Sequence, residues 1–142
     1  MIVTVDIKLN LKTREVNSRV AEALRQTLRD VVVEVARDAI HESPVDTGNN
    51  RRSIFFGATG FPHKQASPAG RKEKDTWTGA DESVLDESKF QAVVYSTSGY
   101  GGFLETGTSK MSARPYMKPA ADRYFTEANV GTKMKERILA SG

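Results

Sequence analysis

The sequence predicts an α+β fold: a long N-terminal helix and a C-terminal helix packed on a small, mostly antiparallel β-sheet, with a long mobile loop interrupting the sheet. Three observations carry this expectation. Apolar and polar residues alternate over residues 1–11, apolar residues then recur at spacings of three and four from Val16 to Ala39, and the composition changes abruptly over residues 61–89. The chain of 142 residues has the size of one domain, so residues 1–142 are read as a single unit containing that loop.

In the first segment Val3, Val5, Ile7, Leu9 and Leu11 fall on one side and Thr4, Asp6, Lys8 and Asn10 on the other, the two-residue period of a half-buried strand. Thr13 is a suitable N-cap for the helix that follows. Along it Val16, Val20, Leu24, Leu28, Val31, Val35 and Ala39 form one apolar stripe, ending near Glu42. Away from that stripe, Arg14, Arg19, Arg25, Arg29 and Arg37 alternate with Glu15, Glu22, Asp30, Glu34 and Asp38, which predicts a solvated face laced by pairs along the helix. His41, in the last turn, complements the helix dipole.

Pro44 stops the helix because it lacks an N–H and restricts Ser43, and Asp46, Thr47 and Gly48 carry turn chemistry. Residues 51–58, with Ile54, Phe55 and Phe56, read as a strand, and residues 90–97, with Val93, Val94 and Tyr95, as another. Between them, residues 61–89 are rich in Gly, Pro, Ser, Lys and Asp and hold the one tryptophan, Trp77. This segment reads as a long flexible loop of split charge. Lys64, Arg71, Lys72 and Lys74 lie in its first half, and Asp81, Glu82, Asp86 and Glu87 in its second. Gly99, Gly101 and Gly102 predict tight turns. Pro119 suits the first turn of a helix with Ala120, Ala121, Tyr124, Phe125 and Ala128 on its apolar face, and Gly131 is expected to break or kink it.

The absence of cysteine removes disulfide, zinc-thiolate and thiol-nucleophile chemistry and suits a reducing compartment. Apolar runs are too short for a membrane span or a signal-peptide core, so no membrane partner is expected. The net charge is only +3, with cations spread through the chain, as on an ordinary mixed-charge surface. Enzymatic motifs are missing. The stretch Gly57, Ala58, Thr59, Gly60 has no following Lys and is not a P-loop, and the glycines after Ser98 precede no helix-forming run. His63 stands alone in the loop, so neither catalytic residues, nor a cofactor, nor a metal site is assigned. Glu105 sits among Phe103, Leu104 and small residues, where burial would demand Arg51, Arg52 or Arg114 as a partner.

Two segments taken together carry a resemblance. One is Ser43, Pro44, Val45, Asp46, Thr47, Gly48 with Arg52, Ser53 and Ile54 after a long helix. The other is Phe103, Leu104, Glu105, Thr106, Gly107, Thr108 followed by Arg114, Pro115, Tyr116, Met117, Lys118, Pro119 and Ala120. In this order, over about residues 13–125, the chain resembles the tail-completion, or head-tail joining, proteins of long-tailed bacteriophages. It departs from their pattern at Asn49 and Asn50, at Thr106 and at Gly131. The resemblance implies helices on a small sheet, self-association into a ring, a hexamer, and a place at the virion neck after assembly in the host cytoplasm. The implied partners are the chain itself, the tail tube protein and a head-completion or connector protein, with passing contact to DNA in the channel. It implies no catalytic residue and no cofactor.

On this reading the split-charge loop is the expected assembly interface, its basic arm meeting the acidic arm of the next protomer or the tail-tube end, with Trp77 as an anchor. Pro44, Asp46, Thr47, Gly48, Glu105, Gly107, Thr108, Pro115 and Pro119 are read as structural. Two other classes are kept. One is a small nucleic-acid-binding protein using its C-terminal third, where Lys110, Arg114, Lys118, Arg123, Lys133, Lys135 and Arg137 face only Asp122, Glu127 and Glu136. The other is a hydrolase in which Glu105 and Asp46 converge.

Overall fold

In the computed structural model, residues 2–7, 14–43, 48–98, 109 and 116–141 are described. Among these residues four strands and four helices follow one another: β1 (Ile2–Ile7), α1 (Arg14–Glu42), α2 (Asn49–Arg52), β2 (Ile54–Ala58), β3 (Phe61–Gln65), β4 (Phe90–Ser96), α3 (Met117–Tyr124) and α4 (Glu127–Ser141). The sheet runs β1-β4-β2-β3 with every neighbouring pair antiparallel, and the long helix and the C-terminal helices form a layer on one face. The α+β class expected from the sequence is the class observed.

α1 forms because its apolar period matches the helical repeat over eight turns. Leu24, Leu28, Val31, Val32, Val35 and Ala39 have no exposed surface. They meet Ile54, Ala58, Ala92 and Val94 from the sheet and Tyr116, Met117, Ala120 and Ala121 from α3. Thr13, the expected N-cap, and residues 8–11 lie outside the described residues, as do Pro44, Asp46 and Thr47.

The polar face of α1 differs from expectation. Its acidic residues pair mainly across helices: Asp38 and Glu42 with Arg123, Glu34 with Lys133 at 2.7 Å, and Asp30 with Arg137. Only Glu22 and Arg25 form an ion pair along α1 among its described residues. α3 and α4 lie against this side of α1, so cations from another element reach its carboxylates.

Three further expectations are corrected. Arg51 and Arg52 belong to a helical turn, not to the strand, because the chain must turn through Gly48 (φ 79°) before entering the sheet at Ile54. Gly131 does not break the last helix; the break falls at Phe125 and Thr126, where Phe125 leaves helical angles (φ −81°, ψ 65°). Finally, residues 61–89 are not a structureless loop. They open with β3, which pairs with β2, and contain a short 3-10 turn at Glu82–Val84.

The remainder of that segment crosses the sheet face opposite the helices. Trp77 and Leu85, 8% and 5% exposed, pack there with Phe55, Val93 and Tyr95 in a second apolar cluster. β4 is thereby covered on both faces, which accounts for its unbroken apolar run from Ala92 to Tyr95.

Candidate functional site

Among the described residues, the densest polar arrangement lies at one end of the sheet, where α1 ends, α2 turns, β2 begins and β4 finishes. Asn50, 2% exposed, is its hub. Its side-chain N–H donates to Ser43 Oγ at 3.1 Å, and its Oδ1 accepts from Ser96 Oγ and Ser98 Oγ, both at 2.8 Å. Ser53 Oγ lies 2.8 Å from Ser96 Oγ and donates to the Asn50 carbonyl. The Asn50 amide thus bonds three hydroxyls, and its backbone carbonyl a fourth.

Around the hub, each neighbour ties a different segment to α2. Asn49 exchanges two bonds with Thr76, from Nδ2 to Oγ1 and from the Thr76 N–H to Oδ1, both 2.9 Å. Arg51 donates to the carbonyls of Ser43 and His41, capping the C-terminus of α1. Arg52 grips Asp75 with two bonds of 2.7 and 2.5 Å, the two side chains being 10% and 2% exposed. Asp75 also accepts from the Lys72 N–H and from Trp77 Nε1. The Arg52 guanidinium, with help from these donors, holds the Asp75 carboxyl well below the usual carboxylate range.

This junction flanks the first of the two motif segments on both sides and the second at its start. Ser43 and Gly48 stand on either side of Pro44, Asp46 and Thr47, and Ser98 immediately precedes the glycine-rich stretch leading to Glu105, Gly107, Thr108 and Pro115. These named residues lie outside the described ones, so the convergence of Asp46 with Glu105 is not described. What the structure does bring together is Ser43 and Ser98, joined through one asparagine. Tyr116, at the far end of the second segment, is fully buried, and Pro119 occupies the first turn of α3.

The expected interface residues are divided by the fold. Lys64 is exposed on β3, and Arg71, Lys72 and Lys74 are exposed beside the polar junction. Asp81, Glu82, Asp86 and Glu87 are also exposed, and the last two lie toward the opposite end of the sheet, where Asp86 N–H donates to Gln91 and Glu87 accepts from Gly60 N–H. Trp77 cannot be the intermolecular anchor expected of it. Its ring lies 5.9 Å from that of Phe55 under the Arg71 guanidinium, 4.3 Å from the ring centroid, because the chain's own sheet offers the indole a dry face.

Sequence reasoning missed the partner of His63. On β3 its Nδ1 lies 2.7 Å from the Tyr95 hydroxyl, which accepts the Asp81 N–H. Burial raises the Tyr95 phenol above its ordinary value, and the tautomer of the imidazole sets which of the two groups donates. Nε2 of His63 is buried over Gly57, where a Cβ would come within 2.5 Å of it. The ring packs on the Gly57 backbone. Among the described residues no group of three or more His, Asp or Glu could hold a metal ion, and no helix is long and apolar enough to cross a membrane.

Four of the seven C-terminal cations are committed within the chain: Lys118 to Asp122, Arg123 to Asp38 and Glu42, Lys133 to Glu34, and Arg137 to Asp30. No protein-family model, no curated protein and no solved structure matches this chain.

Proposed function

We propose that this chain is a structural protein of a long-tailed bacteriophage virion, which completes the tail and joins it to the head at the neck by forming a ring, a hexamer. The observation that carries the reading is the ordered pair of turn segments, one after the long helix and one before α3, whose near ends meet at the Asn50 junction. The partners on this reading are further copies of the chain, the tail tube protein and a head-completion or connector protein.

The internal pairing of Lys118, Arg123, Lys133 and Arg137 weakens the alternative of a nucleic-acid binder working through the C-terminal third, since paired cations release fewer counterions. A nonsense mutation in the encoding phage, followed by electron microscopy of the lysate, tests the reading. Separate full heads and finished tails, joined when the protein is supplied, are expected. Joined infectious particles in its absence overturn it.

A further inference from the structure

We infer that the segment between β3 and β4 forms a two-ended electrostatic contact through which a second copy of this chain docks head to tail. The inference rests on the self-association in the reading above and names the surface involved.

The fold sets the charges of this segment at the two ends of one sheet face. Asp75 and Thr76 are fastened to α2, and Thr78 N–H donates to the Thr97 carbonyl, so Arg71, Lys72 and Lys74 stand at the end where β4 finishes. The chain then crosses the face under Trp77 and Leu85. Gln91 receives the Asp86 N–H and the Lys89 carbonyl accepts from Thr59, which places Asp86 and Glu87 at the end where β4 begins. The seven residues of β4 separate the two groups by about 20 Å at 3.4 Å per residue.

That separation decides the matter. At physiological ionic strength the screening length is about 8 Å, so the two groups scarcely neutralise each other within one protomer. The carboxylates of α1 that face the C-terminal helices are, by contrast, paired within the chain. Among the described residues, no ion pair involves Lys72, Lys74, Glu82 or Glu87, and all four side chains are exposed. Three cations against Glu73 at one end, and Asp86 and Glu87 against Lys89 at the other, are complementary surfaces on the same chain.

A second copy is the occupant that matches both ends at once. Because the ends differ, the contact is heterologous: the basic end of one protomer meets the acidic end of the next, and repetition closes a ring when the rotation permits. Trp77 serves inside the protomer, holding the strap so that both ends keep their places.

Sedimentation velocity on the full chain tests this with two charge-reversed variants, Lys72→Glu with Lys74→Glu, and Asp86→Lys with Glu87→Lys. Wild type is expected to associate at low salt and dissociate as salt rises. Each variant alone should associate roughly 100-fold more weakly, since like charges then face each other. An equimolar mixture of the two should associate again, as should a chain carrying all four changes, which separates lost contact from lost folding. A wild type that is monomeric at every salt concentration, or oligomers whose mass the reversals leave unchanged, would overturn the inference. Rings that survive reversal leave the neck reading standing and discard only this contact, whereas head-tail joining without the protein discards the neck reading itself.

Discussion

Replacing Trp77 with Ala tests whether the segment between β3 and β4 is part of the folded core. An indole contributes on the order of 200 Å² of burial, and at about 25 cal/mol per Å² its removal from the sheet face corresponds to about 5 kcal/mol. Trp77 is 8% exposed, so nearly all of that area counts. The remaining Cβ and partial collapse of Leu85 and Phe55 into the space bring the expected loss to about 4 kcal/mol, within the range for aromatic truncations. Such a loss would consume a large part of a domain's usual 5–15 kcal/mol. Urea unfolding followed by far-UV circular dichroism measures it, because the variant lacks the only tryptophan and so the fluorescence signal. Trp77→Phe, which keeps a ring against Phe55 but loses the bond from Nε1 to Asp75, should cost less than half as much. A loss below about 1 kcal/mol for the alanine variant would refute the reasoning, since only surface positions are that tolerant.

Asn50→Ala leaves the buried hydroxyls around it short of partners and should cost about 2–3 kcal/mol in the same assay, while Asn49→Ala frees Thr76 and should cost less. Gly57→Ala would place a methyl 2.4 Å from the His63 ring and should destabilise by about 1–3 kcal/mol, read as a lowered urea midpoint. Gly131→Ala lies within a continuous helix with nothing within 4 Å and should raise the thermal midpoint through a gain of about 0.5–1 kcal/mol. For acid, the sign follows from Asp75, whose folded-state pKa lies below its unfolded one. Its contribution is complete above the ordinary aspartate value of about 4 and is lost as pH falls through the lower folded value. Asp81 and Asp86, lowered by bonds from Ser83 and Ser88, act in the same direction. Stability should therefore hold from neutral pH to about pH 5 and decline below pH 4, and Asp75→Asn should flatten that decline.

Where burial follows a local period, the sequence is legible. The stripe from Leu24 to Ala39 predicts α1 residue by residue because a helix repeats within its own length. The strand around Val93 is equally visible, and the structure covers its unbroken run Ala92, Val93, Val94, Tyr95 on both faces. The covering pieces, Trp77 and Leu85, are isolated apolar residues in a polar stretch and show no period, so that stretch reads as loop. The site was less legible still. Gly48 signals a turn by its type alone, but Asn49 and Asn50 look like ordinary turn residues until Ser43, Ser96 and Ser98 arrive from distant parts of the chain. Likewise, a cation in α4 gives no hint in sequence that its carboxylate lies in α1.

By itself, then, the sequence determined the α+β class, the long helix, the central strand and the order of the two turn segments, all of which depend on neighbours a few residues away. Only the tertiary structure decided that residues 61–65 add a fourth strand, that Trp77 faces inward, that α1 pairs its carboxylates with α3 and α4, and that the basic arm stands at one end of a sheet face with Asp86 and Glu87 at the other. Those features arise from contacts between residues far apart in the chain, where the competition for a dry surface or a nearby opposite charge is settled by the packed whole.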